Sequence, residues 1–217
     1  MSRRAAVLSV LACAAAAGVG SDAYRRHHTY KHFAVHEPGR VYRSAWLAPG
    51  TAAELVEKHG VRCVVNLCSA GEAPPGRWAA EDAAVTAAGA KVLRLPMPLT
   101  VDPADPALAG HLAALADPGN FPLLVHCGHG VTRTAKFLTL YDVAFRGRTA
   151  EASLAAQPTF GRDRPNPAVA AFAAEFQRTH KVLYPRLAAA RPPAAPGTGA
   201  GVEAGARTAA APGPARH

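Results

Sequence analysis

Residues 123–134 read LLVHCGHGVTRT, and this stretch decides the fold prediction. The short, fully apolar run at its start predicts a buried strand, and the residues after Thr134 have the spacing of a helix with one apolar face. Glycines at positions 128 and 130 permit a tight loop between the two elements. Backbone amides in such a loop, together with the positive end of the following helix, can surround a tetrahedral anion. The sequence therefore predicts a strand, an anion-binding loop and a helix in succession.

Cys127 and Arg133 lie at the two ends of that loop with the spacing Cys-x5-Arg. Cysteines also occur at positions 13, 63 and 68, but only Cys127 has an arginine six positions later. A thiolate, and not a thiol, attacks phosphorus, and the loop amides, the helix end and Arg133 all favour the anionic sulfur. The arginine offers a planar, permanently charged fork to phosphate oxygens. We therefore predict that Cys127 is a nucleophile and that Arg133 is a phosphate clamp.

The neighbouring residues have predicted supporting roles. The hydroxyl of Thr134 can donate a hydrogen bond to the sulfur and help it leave in the second step, so Thr134 is predicted to be catalytic. His126 is predicted to order the loop from below rather than to act as a base. The predicted substrate-binding residues are Gly128, His129, Gly130, Val131, Thr132 and Arg133.

Strand and helix patterns alternate along the middle of the chain, which predicts an α/β domain with a largely parallel central sheet. The spacing Thr51-x-x-Glu54 is that of a capping box and predicts the start of a helix that ends near Gly60. The predicted strands cover residues 41–44, 61–67, 92–95 and 123–125. The predicted helices cover residues 51–60, 78–88, 106–115, 134–145, 150–156 and 167–187.

The two ends of the chain differ in composition from the middle. Two arginines precede an Ala/Val/Leu run, which predicts that residues 1–23 are a cleaved signal peptide or a short membrane anchor; an alanine-rich disordered leader is the alternative. Residues 24–32 are predicted to form a basic linker that either attracts anionic headgroups or lies in solvent. Residues 33–187 are predicted to form the folded domain, and residues 188–217 a disordered tail. These expectations place the protein at a membrane or outside the cell, and otherwise in the cytoplasm.

The sequence has 24 Lys and Arg against 15 Asp and Glu, which gives a formal net charge of +9. This balance suits anionic partners such as phosphate esters or acidic lipids, without selecting one of them. The four cysteines have no metal-ligand spacing and are too few for a disulfide scaffold. We therefore expect neither a metal nor another cofactor. Nucleic acid is not an expected partner, and the oligomeric state is left open.

At residues 126–134 the chain resembles the cysteine-dependent phosphatases of the protein-tyrosine and dual-specificity type, whose signature His-Cys-x-x-Gly-x-x-Arg-Ser/Thr is matched in full. Residues 41–45 (VYRSA) and 60–67 (GVRCVVNL) are similar to strands of compact bacterial members. The resemblance implies a single-domain cysteine-phosphatase fold that hydrolyses phosphotyrosine and phosphoserine/threonine monoesters through a cysteinyl-phosphate intermediate. Inositol phosphates, lipids and other small phosphoesters are alternative substrates. A phosphate-binding module with little catalytic activity is an alternative function.

The resemblance also implies a general acid on a neighbouring loop, which protonates the leaving oxygen. Asp102 and Asp105 follow a predicted strand and are the two candidates. Asp102 is preferred, although its gap to Cys127 is shorter than is usual in the family, and helix capping is the alternative role, above all for Asp105. Between Cys127 and Arg133 the loop contains no Lys or Arg, which in this family favours simple phosphoesters over inositol phosphates. Ala135 stands where many members have glycine.

Cys68 lies in Asn66-Leu67-Cys68, a stretch similar to one in a lipid-phosphatase member of the family. That similarity implies a reversible disulfide between Cys68 and Cys127 that protects the nucleophile from over-oxidation, with a small buried residue at a strand end as the alternative. Arg162 and Arg164 are predicted either to recruit a second anionic group or to lie in a solvated loop.

Overall fold

A computed structural model describes residues 24, 28–161 and 164–180 of the chain. The strands in these residues are β1 (Ala34–Glu37), β2 (Val41–Ala45), β3 (Cys63–Asn66), β4 (Lys91–Arg94) and β5 (Leu123–Cys127). The α-helices are α1 (Pro49–His59), α2 (Arg77–Ala87), α3 (Leu108–Ala116), α4 (Thr132–Leu140), α5 (Ala150–Ala155) and α6 (Pro167–Thr179). Short 3-10 helices cover Ala70–Glu72 and Pro118–Asn120, and a π-helical turn, Tyr141–Phe145, follows α4.

The described strands form one sheet in the order β1-β2-β5-β3-β4, and β1 runs antiparallel to the rest. The prediction of an α/β domain with a largely parallel central sheet is confirmed. The sequence pattern does not predict β1, because its four residues, AVHE, make no apolar run and form an edge strand.

Helix α1 begins earlier than its pattern predicts. Pro49 lies in the first turn, where its restricted φ suits a helix start, and the N-cap residue Ala48 makes no side-chain capping bond. The predicted capping box at Thr51 and Glu54 is wrong, because both residues lie inside the helix. The predicted end is confirmed: Gly60 has a φ of 60°, a left-handed conformation that glycine adopts without a Cβ penalty.

The central strands are buried on both faces of the sheet. The core cluster on the side of α4 and α6 includes Val41, Val65, Leu123, Val125, Phe137 and Phe176. The cluster on the side of α1 and α2 includes Tyr42, Leu55, Val64, Val85 and Leu124. Alternate strand residues enter opposite clusters, as the two-residue period of a strand requires. The carboxyl end of β5, with Cys127, therefore opens at the middle of the sheet between β2 and β3.

Several predictions for the ends of the chain lie outside the described residues. They are the leader over residues 1–23, the tail over residues 188–217, and residues 181–187 of the last predicted helix. Among the residues that the structure describes, no helix is both long and apolar enough to cross a membrane. The signal peptide, the membrane anchor and the domain limits stay predictions.

Candidate active site

Cys127 is the last residue of β5 and pairs with Ala45 of β2 in parallel register. The residue is only 3% exposed, at the point where the chain leaves the sheet and turns toward α4. Its Sγ accepts a hydrogen bond from the backbone N–H of Gly130 at 3.2 Å and another from the hydroxyl of Thr134 at 3.3 Å. The loop over residues 127–133, called the Cys127 loop below, therefore surrounds the sulfur with donors.

The electrostatic surroundings of Cys127 favour the thiolate. Burial raises the pKa of the thiol, but the hydrogen bonds from Thr134, the positive charge of Arg133 and the hydrogen bond from Gly130 together outweigh it. The pKa of Cys127 therefore lies below the ordinary value of a cysteine, which raises the fraction of thiolate, the form that attacks phosphorus. The structure brings the predicted nucleophile and the predicted Thr134 donor together.

The Cys127 loop leaves no space for a side chain at Gly130. Its φ is +67°, and a Cβ atom built there would lie 2.3 Å from the carbonyl oxygen of Ser44 and 2.5 Å from the amide nitrogen of Ala45. The carbonyl of Gly130 accepts a 2.7 Å hydrogen bond from Nη2 of Arg43, a buried arginine on β2. Strand β2 therefore holds the loop in the shape that points the Gly130 N–H at the sulfur.

Arg133 lies in the first turn of α4, 7% exposed, and its guanidinium forms a two-pronged ion pair with Glu72. Nη1 is 2.5 Å from Oε1 of Glu72 and Nη2 is 2.6 Å from Oε2. The hydrogen bonds from Arg133 lower the pKa of Glu72 to about 2, so the carboxylate is ionised at any working pH. A fork held in this way has a fixed plane, which is what recognition of two phosphoryl oxygens needs.

Glu72, which contacts the predicted clamp Arg133, was missed by the sequence reasoning. It ends the short 3-10 helix after β3, where Ser69 and Glu72 form a reciprocal capping box. The backbone N–H of Ser69 donates to Oε1 of Glu72 at 2.9 Å, which orients the carboxylate. The spacing Ser-x-x-Glu is a readable signal for that cap. It does not indicate that the same carboxylate meets Arg133, since that contact depends on the neighbouring positions of β3 and β5 in the sheet.

A buried polar network lies beneath the Cys127 loop. Nε2 of His126 is 3.1 Å from Oε1 of Glu81 on α2, and Oε2 of Glu81 accepts from the side-chain amide of Asn66 at 2.7 Å. Burial raises the pKa of Glu81, but the contacts with His126 and Asn66 bring it below its ordinary value. All three side chains are at most 4% exposed. His126 is thus tied to α2 from below the loop.

Cys68 is fully buried just beyond β3, and its backbone N–H donates to Oδ1 of Asn66 at 2.9 Å. Burial raises the pKa of the Cys68 thiol to about 12, and the nearby negative charge of Cys127 acts in the same direction. Cys68 is therefore a protonated thiol close to the nucleophile. Its disulfide with Cys127 stays a prediction.

Asp102 and Asp105 lie in the loop between β4 and α3, at the same edge of the sheet as the Cys127 loop. Each carboxylate accepts a 2.8 Å hydrogen bond two residues further on, Asp102 from the N–H of Ala104 and Asp105 from that of Ala107. Among the described residues, no hydrogen bond or ion pair joins either carboxylate to Cys127 or Arg133. The choice of general acid stays a prediction.

Two contacts fix the outer side of the Cys127 loop. Nδ1 of His32 lies 2.6 Å from the carbonyl oxygen of His129, so this nitrogen carries the proton and donates. The side-chain amide of Asn166 donates to the hydroxyl of Thr132 at 3.0 Å. His32 belongs to the stretch predicted as a basic linker and contacts the loop directly.

Arg164 lines a small cavity together with Val131 and Asn166, and Cys127 is not among its lining residues. Arg162 lies outside the described residues. Within the part of the chain that the structure describes, no group of His, Cys, Asp or Glu is arranged to hold a metal ion.

Replacing Thr134 with valine is expected to raise the pKa of Cys127, because valine keeps the branched shape but removes the hydroxyl that donates to the sulfur. Alkylation by iodoacetamide follows the thiolate, so at pH 6 it should slow by about tenfold and its midpoint should move to higher pH. Thr132→Val is the matched control, because the hydroxyl of Thr132 contacts Asn166. An unchanged alkylation profile in Thr134→Val contradicts the assignment.

Comparisons with known proteins agree with this geometry. A family model described as DSP-PTPase phosphatase fused to NAD+ kinase matches residues 33–174, more than half of the chain. No curated protein matches the chain.

Solved structures share the fold. TpbA from P. aeruginosa, in complex with pTyr, is 21% identical with a TM-score of 0.53, and the match covers 74% of this chain and 96% of that one. The core catalytic domain of a PP-IP phosphatase from S. cerevisiae is 17% identical with a TM-score of 0.54, over 70% of this chain and 92% of that one. Tk-PTP in its active form is 20% identical with a TM-score of 0.53, over 70% and 97%.

At these identities the structures show the fold, whereas the family model shows the family. That model spans β1 to β5, the Cys127 loop and most of α6. The chain therefore belongs to the family of cysteine-dependent dual-specificity and protein-tyrosine phosphatases.

Proposed function

We propose that the chain hydrolyses phosphotyrosine and phosphoserine/threonine monoesters through a phosphorylated Cys127. The observation that carries the proposal is the environment of the sulfur: its pKa is lowered, and Gly130 and Thr134 direct donors at it. Arg133 supplies the cation for the phosphoryl oxygens from the first turn of the adjoining helix. A nucleophile and a clamp in this order are what a two-step displacement at phosphorus requires.

In the first step the Cys127 thiolate attacks phosphorus, the bond from phosphorus to the ester oxygen breaks, and Asp102 gives its proton to that oxygen. The loop amides and Arg133 hold the three remaining oxygens. In the second step water attacks the cysteinyl phosphate and gives a proton to Asp102, and the bond from sulfur to phosphorus breaks. Thr134 donates to the departing sulfur. The products are an alcohol or phenol and inorganic phosphate, and the enzyme is regenerated.

The charge of the Cys127 loop supports simple monoesters as substrates. Between Cys127 and Arg133 the loop has no lysine or arginine, so a single phosphoryl group meets one arginine and a set of neutral amides. A substrate with several phosphates would need further cations to offset their mutual repulsion. Inositol phosphates and other small phosphoesters are the alternative substrates.

The proposal is tested with the full chain against phosphotyrosine and phosphoserine peptides and inositol phosphates. We expect hydrolysis of the peptides, and acid quenching during turnover should trap labelled phosphate on Cys127. The Cys127→Ser variant should give neither product nor label. Faster hydrolysis of inositol phosphates would support the alternative substrates, and binding without hydrolysis of any ester would support a phosphate-binding module.

Asp102→Asn is expected to lower kcat for phenyl phosphate by about 10²-fold, because phenolate is a poor leaving group without a proton. Asparagine can still accept the hydrogen bond from Ala104, so the local turn is kept. Asp105→Asn is the matched variant, since its turn to Ala107 has the same form, and it should lose less than about threefold. The reverse order of the two losses would assign the acid to Asp105.

A further inference from the structure

Lys136 is a buried lysine on α4, one helical turn after Arg133 and on the same side of the helix. Only 3% of it is exposed. Its Nζ donates a 2.7 Å hydrogen bond to the carbonyl oxygen of Leu99 and lies 5.1 Å from the ring centroid of Phe172 on α6. Lys136 therefore joins the helix that carries the phosphate clamp to the loop between β4 and α3.

The charge of Lys136 is not neutralised by an acidic neighbour. Among the described residues, no carboxylate lies within ion-pair distance of its Nζ, and burial lowers the pKa of the ammonium group. A buried cation without an anionic partner costs free energy, which an apolar side chain of similar length would avoid. Packing alone therefore does not explain a lysine at this position. The bond to Leu99 does, because it needs a long side chain that ends in a charged donor.

The Leu99 carbonyl lies three residues before Asp102, in the loop between β4 and α3. Met97 is buried and its N–H donates to the carbonyl of Leu67 at 3.1 Å. The side chain of Leu99 is 62% exposed, so its carbonyl, and not its side chain, fixes this point of the loop. Val101 is buried again, directly before Asp102. The bond from Lys136 thus lies between two buried anchors, on the approach to Asp102.

We infer that Lys136 is a positioning residue for the general acid. It ties the Asp102 loop to α4, and α4 begins with Arg133, so one rigid helix sets the distance between the acid and the clamped phosphoryl group. The inference rests on the proposed function, with Asp102 as the acid. Lys136 acts through the loop, because its Nζ bonds to the Leu99 carbonyl and no hydrogen bond among the described residues joins it to Cys127.

The test compares two aryl esters that differ in their need for an acid. Phenyl phosphate needs a proton on its leaving oxygen, and 2,4-dinitrophenyl phosphate does not, because dinitrophenolate is already stable. Lys136→Met should lower kcat for phenyl phosphate by about tenfold and change kcat for the dinitrophenyl ester by less than about twofold. Lys136→Arg, which keeps the charge and a donor, should recover most of the loss. Lys91→Met, at a half-exposed lysine, is the control, and any change in kcat should be the same for both esters.

A double variant separates positioning from general destabilisation. In an Asp102→Asn background the further change Lys136→Met should have no effect on phenyl phosphate, because the acid it positions is absent. Equal losses on both esters, or full additivity with Asp102→Asn, would overturn the inference. If Lys136→Met does not fold, Lys136→Leu, which also lacks a donor for the Leu99 carbonyl, takes its place under the same criteria.

The same experiment distinguishes the two proposals. If Asp102→Asn lowers kcat for phenyl phosphate but not for the dinitrophenyl ester, and Lys136→Met lowers neither, the positioning role is wrong and the proposed acid stands. If Asp102→Asn affects both esters alike, the proposed acid is wrong, and the role of Lys136 falls with it.

Discussion

Arg133→Lys is expected to lower kcat/KM for aryl phosphates by about 10³-fold, although the positive charge is kept. Lysine is a point charge with rotatable donors, so it cannot pair with both oxygens of Glu72 and present a fixed fork to the phosphoryl group. The loss should be mainly in kcat, because the equatorial oxygens are held most tightly in the transition state. Steady-state kinetics with 2,4-dinitrophenyl phosphate measure this loss of kcat/KM. Hydrolysis of that ester needs no general acid, so the measurement reports on the clamp alone.

Arg178 offers a matched control for this substitution. It forms a similar two-pronged pair with Glu175 on the exposed surface of α6, where its side chain is 70% exposed. Arg178→Lys should leave kcat/KM unchanged. Glu72→Gln, which keeps the shape but removes the carboxylate charge, should lose about 10- to 100-fold because Arg133 is then less well oriented. Retention of more than a tenth of wild-type activity in Arg133→Lys would contradict the clamp.

Gly130→Ala is expected to destabilise the fold by roughly 3 kcal/mol or more and to remove most activity. The new Cβ would lie 2.3 Å from a backbone oxygen of Ser44, and the φ of +67° is unfavourable for alanine. To relieve this clash, the Cys127 loop must move away from β2. That movement breaks the hydrogen bond from Arg43 to the Gly130 carbonyl and the one from the Gly130 N–H to the sulfur. The pKa of Cys127 should rise as that donor is lost.

Two other glycines show whether this effect is specific to the site. A Cβ at Gly128 would meet only Nη2 of Arg133, at an ordinary 3.8 Å, and a Cβ at Gly50 on α1 would meet nothing within 4 Å. Gly128→Ala should therefore fold with near wild-type stability, and Gly50→Ala should leave activity unchanged and raise stability by at most about 1 kcal/mol, because alanine is the better helix former. Denaturant unfolding and iodoacetamide alkylation of each variant make the comparison. A Gly130→Ala protein as stable as Gly128→Ala would show that β2 does not constrain the loop.

The Cys127 loop was predictable because its parts are consecutive in the chain. An apolar strand, two glycines and a helix start are local patterns, and they place Cys127, Thr134 and Arg133 close together whatever surrounds them. The same locality explains the error at α1. Pro49 and the capping-box spacing at Thr51 compete as helix-start signals two residues apart, and the proline determines the first turn.

The sequence by itself therefore determined the class of fold and the loop in which Cys127, Thr134 and Arg133 come together, because these depend on neighbours within a few residues. Tertiary structure alone decided what holds them. Glu72 reaches Arg133, Arg43 reaches Gly130 and Lys136 reaches Leu99 because β2 and β3 flank β5 in the sheet and β4 lies next to β3, with the carboxyl ends of these parallel strands on the same side. Strand order is set by burial of the whole apolar surface, which no short stretch of sequence encodes.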